Sequence, residues 1–260
     1  MNGIQITDAM WSGLMGKALY TPLLNILILL YVWLPVPDLG LAIIALTIII
    51  RIVLHPSYRS SLKSQRDMQK VQPYIEKVKE QYKDDTQKQS QEVMKIYKEH
   101  KVNLFGSCLP MLIQLPILFA LYRVFIAGLT TESLQHLYVW FPNPPLELNT
   151  VFLDFLHISS FTIDLTERSI LLAVLAGLIQ LVQSWLTGRY THVPGKKNPT
   201  ALFMYLFPFV TFGIAYTLPA ALGLYWATTT LVMAIQQVII YNGFANQERK
   251  VEVITHHGNE

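Results

Sequence analysis

From Asn198 to Gln247 the chain carries no Asp, Glu, Lys or Arg, and this run limits the possible folds more than any motif does. It has room for two membrane-crossing helices of about 20 residues each, and Thr217-Leu218-Pro219-Ala220 supplies a turn between them. Leu104 to Tyr122 and Ser169 to Gly188 are equally free of charge. A hydrocarbon interior offers backbone N–H and C=O groups no water, so these stretches are expected to be helices. A buried helix of a soluble core would explain one such run; it is a poor account of four. Only 14% of residues are charged and 52% are hydrophobic, whereas soluble domains carry about 25% charged residues. A disordered chain and an ordinary cytosolic enzyme are therefore excluded. The single cysteine, Cys108, can form neither an internal disulfide nor a thiolate metal site alone.

Ala18 to Ile50 carries one charge, Asp38, and is broken by Pro35, Pro37 and Gly40. The part from Leu39 onward is expected to span, with Arg51 inside it. Ala18–Leu34 is borderline in length; spanning and lying along the surface as an interfacial helix both fit. Its flanks, with Lys17 and Asp8, do not resemble those of a cleaved secretory signal.

The cations set the orientation. Residues 56–104 hold eleven Lys and Arg, 189–199 hold Arg189, Lys196 and Lys197, and the tail holds Arg249 and Lys250. Residues 130–168 have Arg168 alone, against Glu132, Glu147, Asp154, Asp164 and Glu167. The positive-inside rule puts the basic segments in the cytoplasm. The long, aromatic outer segment, with Tyr138, Trp140, Phe141, Phe152 and Phe155, is expected at the outer interface.

Ser60 to Lys101 is polar but patterned. Met68, Val71, Ile75, Val78 and Tyr82 recur at helical spacing, and Val93, Ile96 and Tyr97 form a second stripe. Lys83-Asp84-Asp85-Thr86 reads as a turn with an N-cap for the next helix. Two antiparallel helices follow, with Pro73 kinking the first or marking a new start. A solvated spacer and a docking surface for a ribosome, targeting factor or substrate both fit, and charge does not choose between them, since a basic face also favours anionic headgroups.

Arg51 is the residue that most needs explaining. It lies about 18 Å into its span, and an arginine at the centre of a membrane helix costs about 2.5–3.5 kcal/mol. No Asp or Glu occurs inside another expected span to pair with it. Snorkelling past His55 is one way out; a hydrophilic recess between helices is the other. For the recess, Gln180, Gln183, Ser184 and Thr187 follow i, i+3, i+4, i+7 on one helix face at the same depth. Gln114, Thr229 or Thr230, Gln236 and Gln237 come from other spans. Polar residues also act as glue between membrane helices, a reading that suits Gln114 and the threonines better than the four-residue stripe. The recess reading makes a pocket open to the cytoplasm and closed to the outside. A cation there attracts an acidic or polar segment more strongly than a surface charge does.

These residues bring a family into view. The order and spacing of Leu46-Thr-Ile-Ile-Ile-Arg51, Met68-Gln-Lys-Val-Gln72-Pro73, Tyr82-Lys-Asp-Asp85, Gln91-Glu-Val-Met94, Gly106-Ser-Cys108-Leu-Pro110, Ile113-Gln114-Leu-Pro116 and Leu224-Tyr225-Trp226 resemble the YidC/Oxa-type membrane protein insertases, in a short form without the large outer domain. The resemblance covers about residues 17–245. The chain departs from the family at Leu104, where many members have Pro after Asn, and at Thr230, where an Asn is common.

The resemblance implies an all-α polytopic membrane protein: five transmembrane helices, an outer interfacial helix and a cytoplasmic antiparallel helical hairpin. It selects the interfacial reading of Ala18–Leu34. The expected organisation is an outer segment 1–38, spans at 39–58, 104–129, 168–188, 200–218 and 219–242, the hairpin at 59–103, an outer loop 130–167, a cytoplasmic loop 189–199 and a tail 243–260. Arg51 becomes the groove arginine. Gln114, Gln180, Gln183, Ser184, Thr187, Trp226, Thr230 and Gln237 are expected to line the groove, and Lys70, Lys77, Tyr82 and Lys83 to form a cytoplasmic docking patch. The implied activity is insertion and folding of membrane proteins in a bacterial cell membrane, with the N-terminus outside and the C-terminus in the cytoplasm. No covalent chemistry, cofactor or metal is expected, and there is no phosphate-binding glycine loop. The expected partners are nascent membrane-protein chains and the bilayer; the ribosome, signal-recognition components and the Sec translocon are further candidates, and sequence-specific nucleic-acid binding is not expected. A folding chaperone without insertion activity is the nearest alternative. An anion transporter would need a polar stripe in the outer half of the spans, where only Arg123 is found. An intramembrane enzyme would need paired catalytic groups at matching depth.

Overall fold

A computed structural model describes residues 16–107, 109–127, 137–141, 145, 148–154, 162–191 and 201–257. It is almost wholly helical. A π-helical turn, Gly16–Tyr20, leads into α1, Thr21–Trp33. Then come α2 (Leu39–Val53), α3 (His55–Gln81), α4 (Thr86–Glu99), α5 (Leu109–Ala127), α6 (Ile170–Thr191), α7 (Ala201–Thr217) and α8 (Ala220–His257). Strands β1, Val151–Phe152, and β2, Ile163–Asp164, pair antiparallel between α5 and α6, with Val151 opposite Asp164. Three helices among the described residues are long and apolar enough to cross a membrane, Gly16–Trp33, Ile170–Thr191 and Ala220–Gln247; Leu39–Val53 with His55–Gln81 makes a fourth if taken as one broken span.

The chain divides into two compact units. The first takes residues up to Val53, Ile113–Ser184 and Leu202–Met233. Its core gathers Leu24, Leu27 and Ile28 of α1, Leu39, Ile43 and Leu46 of α2, Leu121 and Val124 of α5, and Leu222 and Tyr225 of α8. Local chemistry sets the element ends. Pro22 starts α1 without losing an intrahelical donor. The helix stops at Leu34, extended before Pro35, because a residue preceding proline avoids the helical region. Asp38 opens α2: its Oδ1 accepts the Leu41 N–H at 2.9 Å, an N-cap bond. Its Oδ2 accepts the N–H of Leu153 at 2.8 Å, so one carboxylate ties the helix start to the segment between α5 and α6. Leu153 has a positive φ of 63°. Next to this tie, a Cβ on Gly40 would sit 2.1 Å from the Phe152 ring, so only glycine admits that contact.

The segment between α5 and α6 is held at two further places. Asn25 of α1 accepts the Tyr138 N–H at 2.8 Å, and the Tyr31 hydroxyl accepts the Asn149 N–H at 2.9 Å. Tyr138 and Trp140 stack and face outward, but Phe141 and Phe152 are buried in the core. Phe141 lies between Trp140 and Pro142 and Phe152 between Val151 and Leu153, so no alternating or helical pattern marked either ring for burial. Phe155 lies outside the described residues, as does Cys108.

The second unit takes Leu54–Leu112, Trp185–Ala201 and residues from Ala234 onward. No new helix starts at Pro73: α3 runs through it, with Pro73 exposed on the surface. The chain instead breaks at Leu54, ahead of Pro56 in the first turn of α3. Asp85 caps α4 by accepting the Lys88 N–H at 2.9 Å. Helices α3 and α4 pair in reverse order, Gln89 donating to the Lys79 carbonyl at 3.2 Å and Tyr74 stacking on His100. At the base of α3, Arg66 lies over the Phe244 ring, Phe244 meets Tyr241 edge-on, and Tyr241 stacks on Tyr190 at 4.2 Å.

Candidate functional site

In the first unit, Arg51 stands in the last turn of α2 and is only 4% exposed. Ile48, Ile49, Ile52 and Val53 around it are exposed, while Ile50 packs partly against the core, so the helix turns its one cation inward. Its Nη2 donates to Gln114 Oε1 of α5 at 2.6 Å. Gln114 Nε2 in turn donates to the hydroxyl of Tyr225 on α8. Cation, amide and phenol thus form a directional chain across three helices. Each donor points away from the guanidinium, so the positive charge polarises both links in the same sense. Such a bond to a charged group is worth about 1.5–3 kcal/mol net, comparable to the cost of placing the arginine at this depth.

Tyr225 closes the chain, whereas the sequence reading singled out its neighbour Trp226. Adjacent helical residues point about 100° apart, so only one of the pair can face Gln114. Tyr225 is buried and Trp226 half-buried. The signal lay in the Leu224-Tyr225-Trp226 fragment, but sequence did not show which ring turns inward.

The polar face of α6 is buried as well: Gln180, Gln183 and Ser184 are each below 10% exposure. Thr230 of α8 donates to Gln180 Oε1 at 3.5 Å, the long end of the range. Thr47, one turn before Arg51, is buried and returns its hydroxyl to the Ile43 carbonyl at 2.6 Å. The last members of the expected lining belong to the second unit. There Thr187 donates to Gln237 Oε1 at 3.3 Å, and Gln236 lies 3.2 Å from His55 Nδ1. Gln237 is almost fully buried.

The Gln114 amide is one acceptor of the buried guanidinium, and the Tyr225 phenol lies one link further on. Among the described residues, no group of three or more His, Cys, Asp or Glu is placed to hold a metal ion.

On the surface of the second unit, Lys70, Lys77 and Lys83 are exposed and Tyr82 is half-buried at the end of α3. Lys88 lies over the Tyr82 ring at 5.1 Å. Further along α4, Lys95 bonds Glu92, which holds its ammonium above the usual lysine range.

Comparison with known proteins places this arrangement. A chain of Fusobacterium nucleatum described as a membrane protein insertase YidC is 35% identical over 205 residues, covering 79% of this chain and 87% of that one. Its counterpart in Clostridium tetani is 35% identical over 202 residues, covering 77% and 80%. Against the longer Treponema denticola YidC the identity is 33%, and this chain spans 34% of that protein's length. A crystal structure of an active YidC insertase with its first transmembrane domain resolved matches with a TM-score of 0.51 at 27% identity, over 90% of this chain and 46% of that one. A sequence profile of the 60Kd inner membrane protein family covers residues 30–248, Arg51, Gln114 and Tyr225 included; the chain belongs to that family, which here means a multi-pass bacterial membrane protein of YidC type.

Proposed function

We propose that this protein inserts membrane-protein segments into the bilayer, receiving the polar end of its substrate at Arg51. The observation that carries the reading is the Arg51–Gln114–Tyr225 chain: a cation deep in an apolar unit, bonded to a neutral amide that a better acceptor can replace. A carboxylate or polar backbone arriving at the guanidinium would displace Gln114, because a charged or well-aligned acceptor binds more strongly in a low-dielectric site. Gln180, Gln183, Ser184 and Thr230 lie on the same unit and would carry the rest of the polar tail. The tail then crosses a short barrier while the apolar segment partitions into lipid. The 15 residues of α2 amount to about 22 Å, against a hydrocarbon core of about 30 Å.

The same reading assigns five spans, with 56–104 and the tail in the cytoplasm and the N-terminus outside. For the interfacial placement of α1 there is a specific support: Asn25 in its middle and Tyr31 near its end both bond the outer segment, at 138 and 149. A helix that follows an outer loop along its length lies beside the membrane instead of crossing it. In this topology α3 and α4 form the cytoplasmic hairpin. Lys70, Lys77, Tyr82 and Lys83 then meet the nascent chain, and ribosome, signal-recognition components or Sec translocon would approach from that side.

Proteoliposomes carrying wild type, Arg51→Lys and Arg51→Ala test the mechanism with a substrate whose short tail is acidic. Insertion should fall about tenfold or more in Arg51→Ala, given the 1.5–3 kcal/mol of a charge-assisted bond, and be partly kept in Arg51→Lys. Unchanged insertion in both variants would remove the charge from the mechanism.

A further inference from the structure

Away from the Arg51 chain, the first unit carries a cavity of about 590 Å³ lined by Tyr122 and Ile126 of α5, Thr166, Glu167 and Arg168 ahead of α6, and Thr217, Leu218 and Pro219 at the α7–α8 turn. That volume lies within the range of small-ligand sites, about 300–1,000 Å³. Its walls are braced by backbone. Ala220 N–H donates to the Glu167 carbonyl at 2.7 Å and Ala221 N–H to the Leu165 carbonyl at 2.9 Å, locking the Leu165–Arg168 strap onto the turn. Thr166 is held by Asp164, its N–H at 2.9 Å and its hydroxyl at 2.7 Å from Oδ1. Two opposite charges, Glu167 and Arg168, thus stand side by side at the cavity, both exposed and neither in an ion pair among the described residues. Thr166 and Thr217 add hydroxyl-bearing side chains, and the apolar part of the lining, Leu218 and Pro219, continues onto the exposed side chains of Tyr122 and Ile126.

We propose that this cavity seats the headgroup of an ethanolamine phospholipid. Arg168 takes the phosphate, Glu167 accepts N–H bonds from the ammonium, and Tyr122, Ile126 and Leu218 carry the first acyl carbons. The pairing of charges selects the headgroup. A choline ammonium has no N–H to give Glu167, and a glycerol headgroup brings no cation to it. The proposal rests on the membrane reading above, which sets this cavity where α5, α6, α7 and α8 meet the outer leaflet.

The test uses the full chain in nanodiscs of equimolar phosphatidylethanolamine, phosphatidylcholine and phosphatidylglycerol, with retained lipid read by native mass spectrometry. Wild type should retain the ethanolamine lipid over the choline lipid by about three- to tenfold, the scale of one charge-assisted bond at an exposed site. Glu167→Gln should abolish that preference, and Arg168→Gln should lower retention of every phospholipid. Equal retention of the three lipids by wild type, or an intact preference in Glu167→Gln, would overturn the proposal. Soluble phosphoethanolamine at millimolar concentration should leave the lipid in place; if it displaces the lipid, the site recognises a free metabolite and the lipid assignment fails. Running Arg51→Ala beside these variants separates the two readings. Loss of lipid preference with an Arg51-dependent insertion defect removes only the cavity proposal. Intact preference with normal insertion by Arg51→Ala removes only the insertase mechanism.

Discussion

The interior of the first unit and the outer faces of α3 and α4 spend their charge in opposite ways. Inside the first unit, Arg51 and Asp38 are almost fully buried, and each bonds groups far away in sequence: Arg51 reaches Gln114, and Asp38 reaches Leu153. On α3 and α4 many charges lie exposed, and Lys95 bonds Glu92 one turn away. Water screens the second kind and not the first. A few deep polar groups therefore carry more of the energetics than a dense basic surface.

This contrast makes its boldest prediction at Gln114. Gln114→Leu takes one acceptor from Arg51 and one donor from Tyr225 at once. It should destabilise the protein by about 1.5–3 kcal/mol, the scale of a hydrogen bond to a charged group, read as a clear fall in the thermal unfolding midpoint in nanodiscs. The double variant Arg51→Met with Gln114→Leu should regain most of that stability, since a buried charge replaced by apolar volume is often neutral. Its insertion activity should stay low. If stability and activity recover together, the buried cation has only a structural role.

Around Asp38 the expected effects are smaller. Asp38→Ala loses the cap of α2 and the tie to Leu153, costing about 1–2 kcal/mol. Gly40→Ala brings a Cβ onto Phe152 and should cost about 1–3 kcal/mol of overpacking. Phe152→Leu in the same chain should recover much of it, and an unfolding scan of the single and paired variants would show whether it does.

For acidity, the informative group is Asp164, between the two regions in exposure. Partial burial raises its pKa, but hydrogen bonds from Thr166 and Thr150 outweigh that and hold it below the usual aspartate range. Because the folded value is depressed, the stabilisation is present above the unfolded pKa and is lost as pH falls through the folded one. Thr166→Val should flatten this acid limb of stability slightly, an effect that thermal scans from neutral down to about pH 3 would resolve. At the far end of the scale, Lys95→Ala should leave the unfolding midpoint unchanged. A measurable shift there would contradict the distinction between buried and exposed charge.

Much of this protein was legible in the order of its residues. Uncharged runs marked the apolar helices, because a bilayer interior tolerates little else. Spacings of three and four placed Gln180, Gln183 and Ser184 on one face, and that face is buried. The turn before α4 was legible too, since an Asp ahead of a helix has a backbone donor within reach. Pro73 did not mark a new start, because an exposed proline within a long helix can be carried by the packing of its other face, where Val71 and Ile75 are buried.

Periodicity tells which side of a helix is polar or apolar; it does not tell which other helix that side will meet. Choosing Gln114 as the partner of Arg51, turning Tyr225 and not Trp226 inward, burying Phe141 and Phe152, and doubling the use of Asp38 all depend on contacts between residues dozens of positions apart. Those contacts follow from how whole faces pack, where burial and hydrogen-bond satisfaction are settled jointly over many side chains. The chain's own order supplied the helices and their buried Arg51, and three-dimensional packing set the neutral amide of Gln114 against it.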